Sequence, residues 1–324
     1  MAAEPELSVV IPAEDWAAIA RPLGRLATQE GAEGVELLLV SPRAHELGPP
    51  PPEAGRLWGA RAVAAPGLDS LERARLTGIQ EARAPLVAFG ETHSYQEQGW
   101  ARALIEAHRE PWGAVGPSIT NANPAGAISW AGLFLDYGEW LELDKGRQAD
   151  QLPGHNSCYK RELLLEYGEE LEQLLEAEIV LQEDLRRRGH RLWLEPRARL
   201  AHLNVSRFSE WLAERLWTGR FFAAARSHEW PLGKRLVYVG GSPLIPLVRA
   251  RRLAPVRRRC ARRHALPRFF GLALGVALII SALGELVGYL LGPGGSKAEL
   301  TRIELYRERY VTDADRATLP PAAS

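Results

Sequence analysis

The stretch Glu6–Asp15, ELSVVIPAED, decides how this chain is read. Within it Leu7–Pro12 (LSVVIP) is a short β-branched run ended by proline, which reads as a buried strand. Trp16–Gln29 follows with apolar residues at roughly helical spacing, and Val35–Val40 (VELLLV) forms a second buried strand. A strand–helix–strand opening of this kind predicts an α/β sheet.

Working outward, Leu47–Gly55 holds four consecutive prolines, Pro49 to Pro52, and reads as an exposed loop or stiff spacer. A helix from about Leu68 to Ala82 leads to a third strand, Pro85–Phe89 (PLVAF). The polar segment Gly90–Gln98 then forms the loop at that strand's C-terminal end, where open α/β sheets bind ligands. Trp100–His108 resumes as helix, and Ala114–Tyr137, rich in Gly, Ala, Asn and Trp, fits neither period. Arg161–Gly189 reads as helical, with Arg191–Leu194 and Ala198–His202 as short extended pieces.

The 324 residues suffice for one large domain or two smaller ones, with 46% hydrophobic and 25% charged residues as in ordinary globular proteins. Lys+Arg and Asp+Glu both number 40, so the net charge of zero argues against a globally basic nucleic-acid binder. The balance is not uniform: no acidic residue occurs between Glu229 and Glu285, while arginines crowd Arg249–Arg268. Cys158 and Cys260 match no metal spacing and no disulfide framework, which points to a reducing compartment. Met1–Glu6 lacks a basic, apolar leader, so no signal peptide is expected and the sequon Asn204-Val205-Ser206 is expected to be unused. No Walker loop, His-Glu-x-x-His helix or Gly-x-Ser-x-Gly elbow is present.

Three blocks together resemble the family 2 glycosyltransferases of the GT-A fold. They are ELSVVIPAED at Glu6–Asp15, RARLTGIQEARAPLVAFGETH at Arg73–His93, and LPGHNSCYKRELL at Leu152–Leu164 followed by Leu175–His202. The resemblance covers roughly residues 6–205, in order and spacing as well as wording. It departs from the family at Glu91-Thr92-His93, where Asp-x-Asp is usual, and at Ser41-Pro42, where aspartates are usual. Arg75-Leu76 stands for the usual Arg-Asn, and Ala177-Glu178 for the usual Glu-Asp pair.

The resemblance implies a Rossmann-like mixed sheet binding a nucleotide-diphosphate sugar, with donor contacts at Pro12, Glu14, Ser41, Arg75 and Glu91. It implies acceptor contacts at Trp100, His155 and Asn156, with Glu178 as the general base of an inverting displacement. A raised pKa from partial burial is expected to fit Glu178 for that role. Glu91, His93 and His202 are implied to hold a divalent metal. Mixed carboxylate–imidazole ligation suits Mn²⁺ better than Mg²⁺. Each residue also has a plain reading: Glu91 and His93 as a solvated loop, His202 as a structural histidine, Glu178 as an exposed helix carboxylate, Trp100 as packing.

Phe269–Gly292 is apolar except for Ser281 and Glu285, about the length of a membrane span, with Gly284, Gly288 and Gly292 at four-residue spacing. The preceding arginines favour a cytoplasmic membrane face. Trp211–Trp230 reads as an interfacial amphipathic helix. The alternatives are a re-entrant or interfacial hairpin, which tolerates Glu285 and the glycines better than a full span, and a soluble helical domain with this segment in its core and Glu285 paired. The expected division is a GT-A domain over 1–210, a basic interfacial region 211–268, a membrane segment 269–292 and a charged tail 293–324. These features together predict a membrane-associated glycosyltransferase with a lipid or glycan acceptor. The rival readings are a catalytically degenerate GT-A protein that binds a nucleotide sugar or a partner and, third, a glycoside hydrolase using two carboxylates.

Overall fold

A computed structural model describes residues 4–176 and 178–322. Ala177 and the first three residues, part of the segment expected to hold no signal peptide, lie outside the described residues. The chain begins with β1 (Leu7–Pro12), α1 (Ala20–Ala27), β2 (Val35–Ser41), β3 (Gly59–Ala64), α2 (Leu71–Glu81), β4 (Leu86–Phe89) and β5 (Ser94–Gln96). It continues through α3 (Trp100–Ala107), β6 (Trp112–Asn121), α4 (Ala127–Tyr137), β7 (Arg147–Ala149), β8 (Cys158–Lys160), α5 (Arg161–Leu165) and α6 (Glu170–Leu175). Then come α7 (Glu178–Arg187), β9 (Arg191–His202) and six further helices. These are α8 (Phe208–Arg226), α9 (Leu232–Gly241), α10 (Ile245–Arg263), α11 (Phe270–Leu291), α12 (Ser296–Leu305) and α13 (Asp313–Arg316).

Two compact units emerge. The first comprises the chain up to Thr120, Glu142–His202 and the end from Pro320; the second comprises Asn121–Leu141 and Leu203–Leu319. In the first, the described strands form one mixed sheet in the order β3-β2-β1-β4-β8-β6-β9-β5, with β7 paired to β9. β3, β2, β1 and β4 run parallel, and β8 turns the direction by pairing antiparallel to β4. This is a mixed α/β arrangement, a Rossmann-like parallel half continued by antiparallel strands, as the GT-A resemblance leads one to expect.

Every residue of β1 and β2 is buried, which is why both are continuous apolar runs rather than alternating ones. Helix α2 starts at Ser70, whose hydroxyl accepts from the Arg73 N–H at 3.2 Å. It lies so close to the sheet that a Cβ at Gly78 would fall 2.2 Å from Val10 Cγ1. The parallel strands β1, β2 and β4 end at Pro12, Ser41 and Phe89, and that edge carries the loop Gly90–His93.

Arg161–Gly189 is not one helix but α5, α6 and α7 in succession. The two extended pieces after it are one strand, β9. The hard-to-read segment Ala114–Tyr137 is β6 followed by α4.

The second unit is helical among its described residues, and α8 and α11 cross at close range. A Cβ on Gly219 would lie 2.1 Å from the Ser281 carbonyl oxygen, and one on Gly284 2.3 Å from that of Leu216. The Trp211–Trp230 stretch, expected as an interfacial helix, is thus largely α8, and it packs along α11. Buried ion pairs tie the unit: Arg215 grips Asp136 with both terminal nitrogens (2.6 and 2.9 Å), and Arg307 meets Glu214 at 2.8 Å. Glu285 is buried and paired with Arg249 at 2.7 Å. By length and composition α11 is able to cross a membrane, yet 44% of its most apolar stretch is buried within the protein.

Candidate active site

The loop after β4 turns into β5, and β5 pairs antiparallel with the end of β9 so that Ser94 stands opposite His202. This register brings together residues far apart in sequence. The rings of His93 and His202 meet edge-on, 4.9 Å between centroids. One ligand atom each from Glu91, His93 and His202 lies within 4.8 Å of the others, and all three residues are buried.

Two neighbours fix the Glu91 carboxylate. Oε2 accepts from the Asn156 side-chain amide at 2.7 Å and from the Ser94 hydroxyl. Oε1 is buried and has no hydrogen-bond partner among the described residues. Burial alone would raise the Glu91 pKa, but His93, His155 and His202 outweigh it and hold the carboxyl well below the usual range. An ionised carboxylate with one oxygen unused, facing two imidazoles, fits a divalent transition cation such as Mn²⁺.

A second cluster lies at the start of α7. Glu178 Oε1 accepts from Arg75 Nη1 at 2.7 Å, and His155 Nδ1 is 3.0 Å from the same oxygen. His155 Nδ1 is also 2.6 Å from Arg75 Nη2. The single Nδ1 thus faces both an arginine donor and a carboxylate acceptor, and its tautomer sets which of the two it bonds. Burial opposes charge on the His155 ring, but Glu178 overcomes both burial and Arg75 and raises the ring's pKa to about 9. Burial likewise opposes charge on Glu178, and His155 and Arg75 reverse it, lowering the carboxyl to about 2. The expectation of a Glu178 pKa raised by partial burial is therefore corrected. The burial is real, but two cations dominate it.

The remaining candidates divide. Pro12 ends β1, buried, and Ser41 ends β2 with its hydroxyl donating to the Glu14 carbonyl at 2.6 Å and accepting from the Arg43 N–H at 3.0 Å. Both thus sit on the C-terminal edge of the parallel strands, with Glu14 two residues past β1, although the Ser41 hydroxyl is already engaged. Trp100 is fully buried at the start of α3 and presents no face to an acceptor. Asn156, expected toward an acceptor, is fully buried and directs its amide at Glu91.

Sequence reasoning missed the role of Ser94, whose only signal is its place directly after Glu91-Thr92-His93. It also missed that Asn156 sits in the left-handed region at φ 75°, a conformation Asn tolerates better than most residues. That backbone turn presents the amide to Glu91.

No protein-family model and no curated relative matches the sequence. Among solved structures the chain is similar to GalNAc-T7 with UDP, GalNAc and Mn²⁺, at 15% identity over 70% of this chain and 52% of that one, TM-score 0.47. It therefore spans about half of that neighbour's chain. It is also similar to S. aureus TarS 1–349 in complex with UDP, at 14% identity over 87% of this chain and 90% of that one, TM-score 0.46.

Proposed function

We propose that this chain is an inverting, metal-dependent glycosyltransferase that moves a sugar from a nucleotide-diphosphate sugar to a hydroxyl of a lipid or glycan acceptor, working at the cytoplasmic face of a membrane. The observation that carries the reading is the convergence of Glu91, His93 and His202 at the C-terminal edge of the parallel strands. A divalent cation held there would neutralise charge developing on the leaving diphosphate. Ser94 and Asn156 orient the Glu91 carboxylate for that ion.

Glu178 is the base in this reading. In the arrangement described, Arg75 and His155 depress its proton affinity. A donor diphosphate competes for Arg75, because an arginine–phosphate pair is charge-assisted and bidentate. As Arg75 turns to the phosphate, the Glu178 proton affinity rises and the carboxylate can take the acceptor's proton. Attack from the face opposite the leaving group gives inversion. The apolar helix α11 and the arginines of α10 support the membrane location, and the location supports a lipid acceptor.

The grip of Arg75 and His155 on Glu178 also favours a second reading, a protein of this fold that binds a nucleotide sugar or a partner without turnover. One experiment separates them. The full-length chain is titrated with a panel of nucleotide sugars with and without Mn²⁺, then assayed for release of nucleoside diphosphate with lipid and glycan acceptors. Metal-dependent binding of one donor, lost in Glu91→Gln, together with turnover lost in Glu178→Gln, is the expected result. Binding without turnover under every acceptor favours the second reading, and no binding by the folded chain removes both.

A further inference from the structure

The second unit carries an apolar surface that its own packing leaves in solvent. α11 buries Ser281, Gly284, Glu285 and Gly288, while Leu272, Ile279, Leu283 and Leu290 are exposed. Their spacings of seven, four and seven residues place them in one stripe along the helix. Leu236 and Val237 of α9 and Leu247 of α10 are also exposed, the last two at 71% each, on helices packed against α11. Single exposed apolar residues are ordinary; a set of large ones across three packed helices marks an interaction surface. Beside the first half of α11 lies a groove of about 650 Å³, lined by Phe208, Trp211, Phe269, Leu272 and Val276 among others. Phe208, Phe269 and Leu272 stand exposed there.

Charge selects the occupant. Between Glu229 and Glu285 there are ten arginines, one lysine and no acid, and Arg251, Arg252, Arg257 and Arg258 are exposed along α10. Two copies meeting through this face would bring two arginine-rich α10 helices together with no acid from that stretch to offset them. An anionic lipid surface offsets them directly. Trp230 and the exposed Tyr238 lie beside Arg226, with Lys234 Nζ 3.9 Å from the Trp230 ring centroid. Amphipathic aromatics with cations are the residues that settle at headgroup depth.

The packing of α11 also argues against a span. It is locked to α8 by glycine contacts with backbone, and α8 carries the buried charges Glu214 and Arg215 with their partners Arg307 and Asp136. Crossing the bilayer would require α11 to leave α8 or to take those charges along.

We propose that the second unit docks flat on an anionic bilayer without crossing it. The exposed faces of α9 and α11 sink below the headgroups, the α10 arginines meet the phosphates, and the groove beside α11 receives a lipid chain. This deepens, and rests on, the membrane part of the function proposed above, but not on glycosyl transfer.

The test adds purified full-length protein to preformed vesicles of phosphatidylcholine, with or without phosphatidylglycerol, and measures co-flotation. The expected result is binding to the anionic vesicles that is weaker on the neutral ones and in Arg257→Glu/Arg258→Glu by on the order of tenfold or more. Leu283→Glu/Leu290→Glu abolishes it without changing the circular dichroism spectrum, and alkaline carbonate releases the bound wild type. Retention after carbonate, equal binding to both vesicle types, or absence of binding overturns the proposal. So does a concentration-dependent dimer that the leucine variant breaks while vesicles are ignored. Nucleotide-sugar binding measured on the same samples reports separately on the proposed transferase, whose failure leaves flotation unchanged.

Discussion

The His93 ring meets the His202 ring edge-on, at 76° and 4.9 Å between centroids, because Ser94 pairs with His202 across β5 and β9. A one-residue slip of that pairing would turn His202 to the opposite face of the sheet and dissolve the cluster. The site is thus set by strand register as much as by the Glu91-Thr92-His93 loop.

Ser94 and Asn156 touch Glu91 but are not among the metal-ligand candidates. Ser94→Ala and Asn156→Ala are each expected to weaken Mn²⁺ binding by about 10–100-fold, the usual cost of removing a partner that orients a ligand. Calorimetric titration of the full chain reads this directly. Unchanged affinity in both variants would mean that Glu91 needs no orientation from them.

Glu178→Gln is expected to lower transfer by about 10²–10⁴-fold with the fold intact, as for loss of a general base. The same substitution should lower the His155 pKa from about 9, because it removes the charge that raises it and leaves Arg75 beside the ring. Imidazole NMR titration of wild type and variant provides the readout. A His155 pKa that stays near 9 in the variant would show that Glu178 is not its partner.

The same cluster gives a pH signature. His155 has its pKa raised from 6.5 to about 9, so the stability it contributes is complete below pH 6.5 and is lost as pH climbs through 9. Glu178 is lowered from 4.5 to about 2, so its contribution is complete above pH 4.5 and is lost as pH falls toward 2. The stability difference between wild type and His155→Asn should therefore be greatest near pH 6 and shrink toward pH 9. Denaturant unfolding at a series of pH values tests it, and a difference that grows with pH would reverse the assigned sign.

The glycines of α11 are not equivalent. A Cβ at Gly284 would strike the Leu216 carbonyl, whereas one at Gly271 or Gly275 meets nothing within 4 Å. Gly284→Ala should cost about 1–3 kcal/mol through forced separation of α8 and α11. Gly275→Ala should gain roughly 0.5–1 kcal/mol through helix propensity. Thermal melts of the two variants should move in opposite directions; a shared direction would deny the close crossing.

How much of this was legible in sequence depended on packing. β1, β2 and β4 could be read because strands buried on both faces must be continuous apolar runs. α4 could not, because AISWAGLFLDY buries most of its residues and shows no polar face to mark a helical period. β9 read as two pieces because of Pro196. That proline falls between the β7 pairing at Leu192–Leu194 and the β5 pairing at Leu200–His202. Glu91, His93 and His202 were legible only through resemblance. The Arg75–Glu178 contact joins α2 to α7 across the fold, and no local pattern announces it.

The most direct measurement is the Mn²⁺ affinity of the full-length chain, with and without nucleotide sugar, in wild type and in His202→Ala. The expected result is one Mn²⁺ site that strengthens donor binding and is lost in the variant, while the variant's melting curve still shows a folded protein. Equal Mn²⁺ affinity in wild type and variant, or donor binding indifferent to Mn²⁺, would contradict a metal site built from Glu91, His93 and His202.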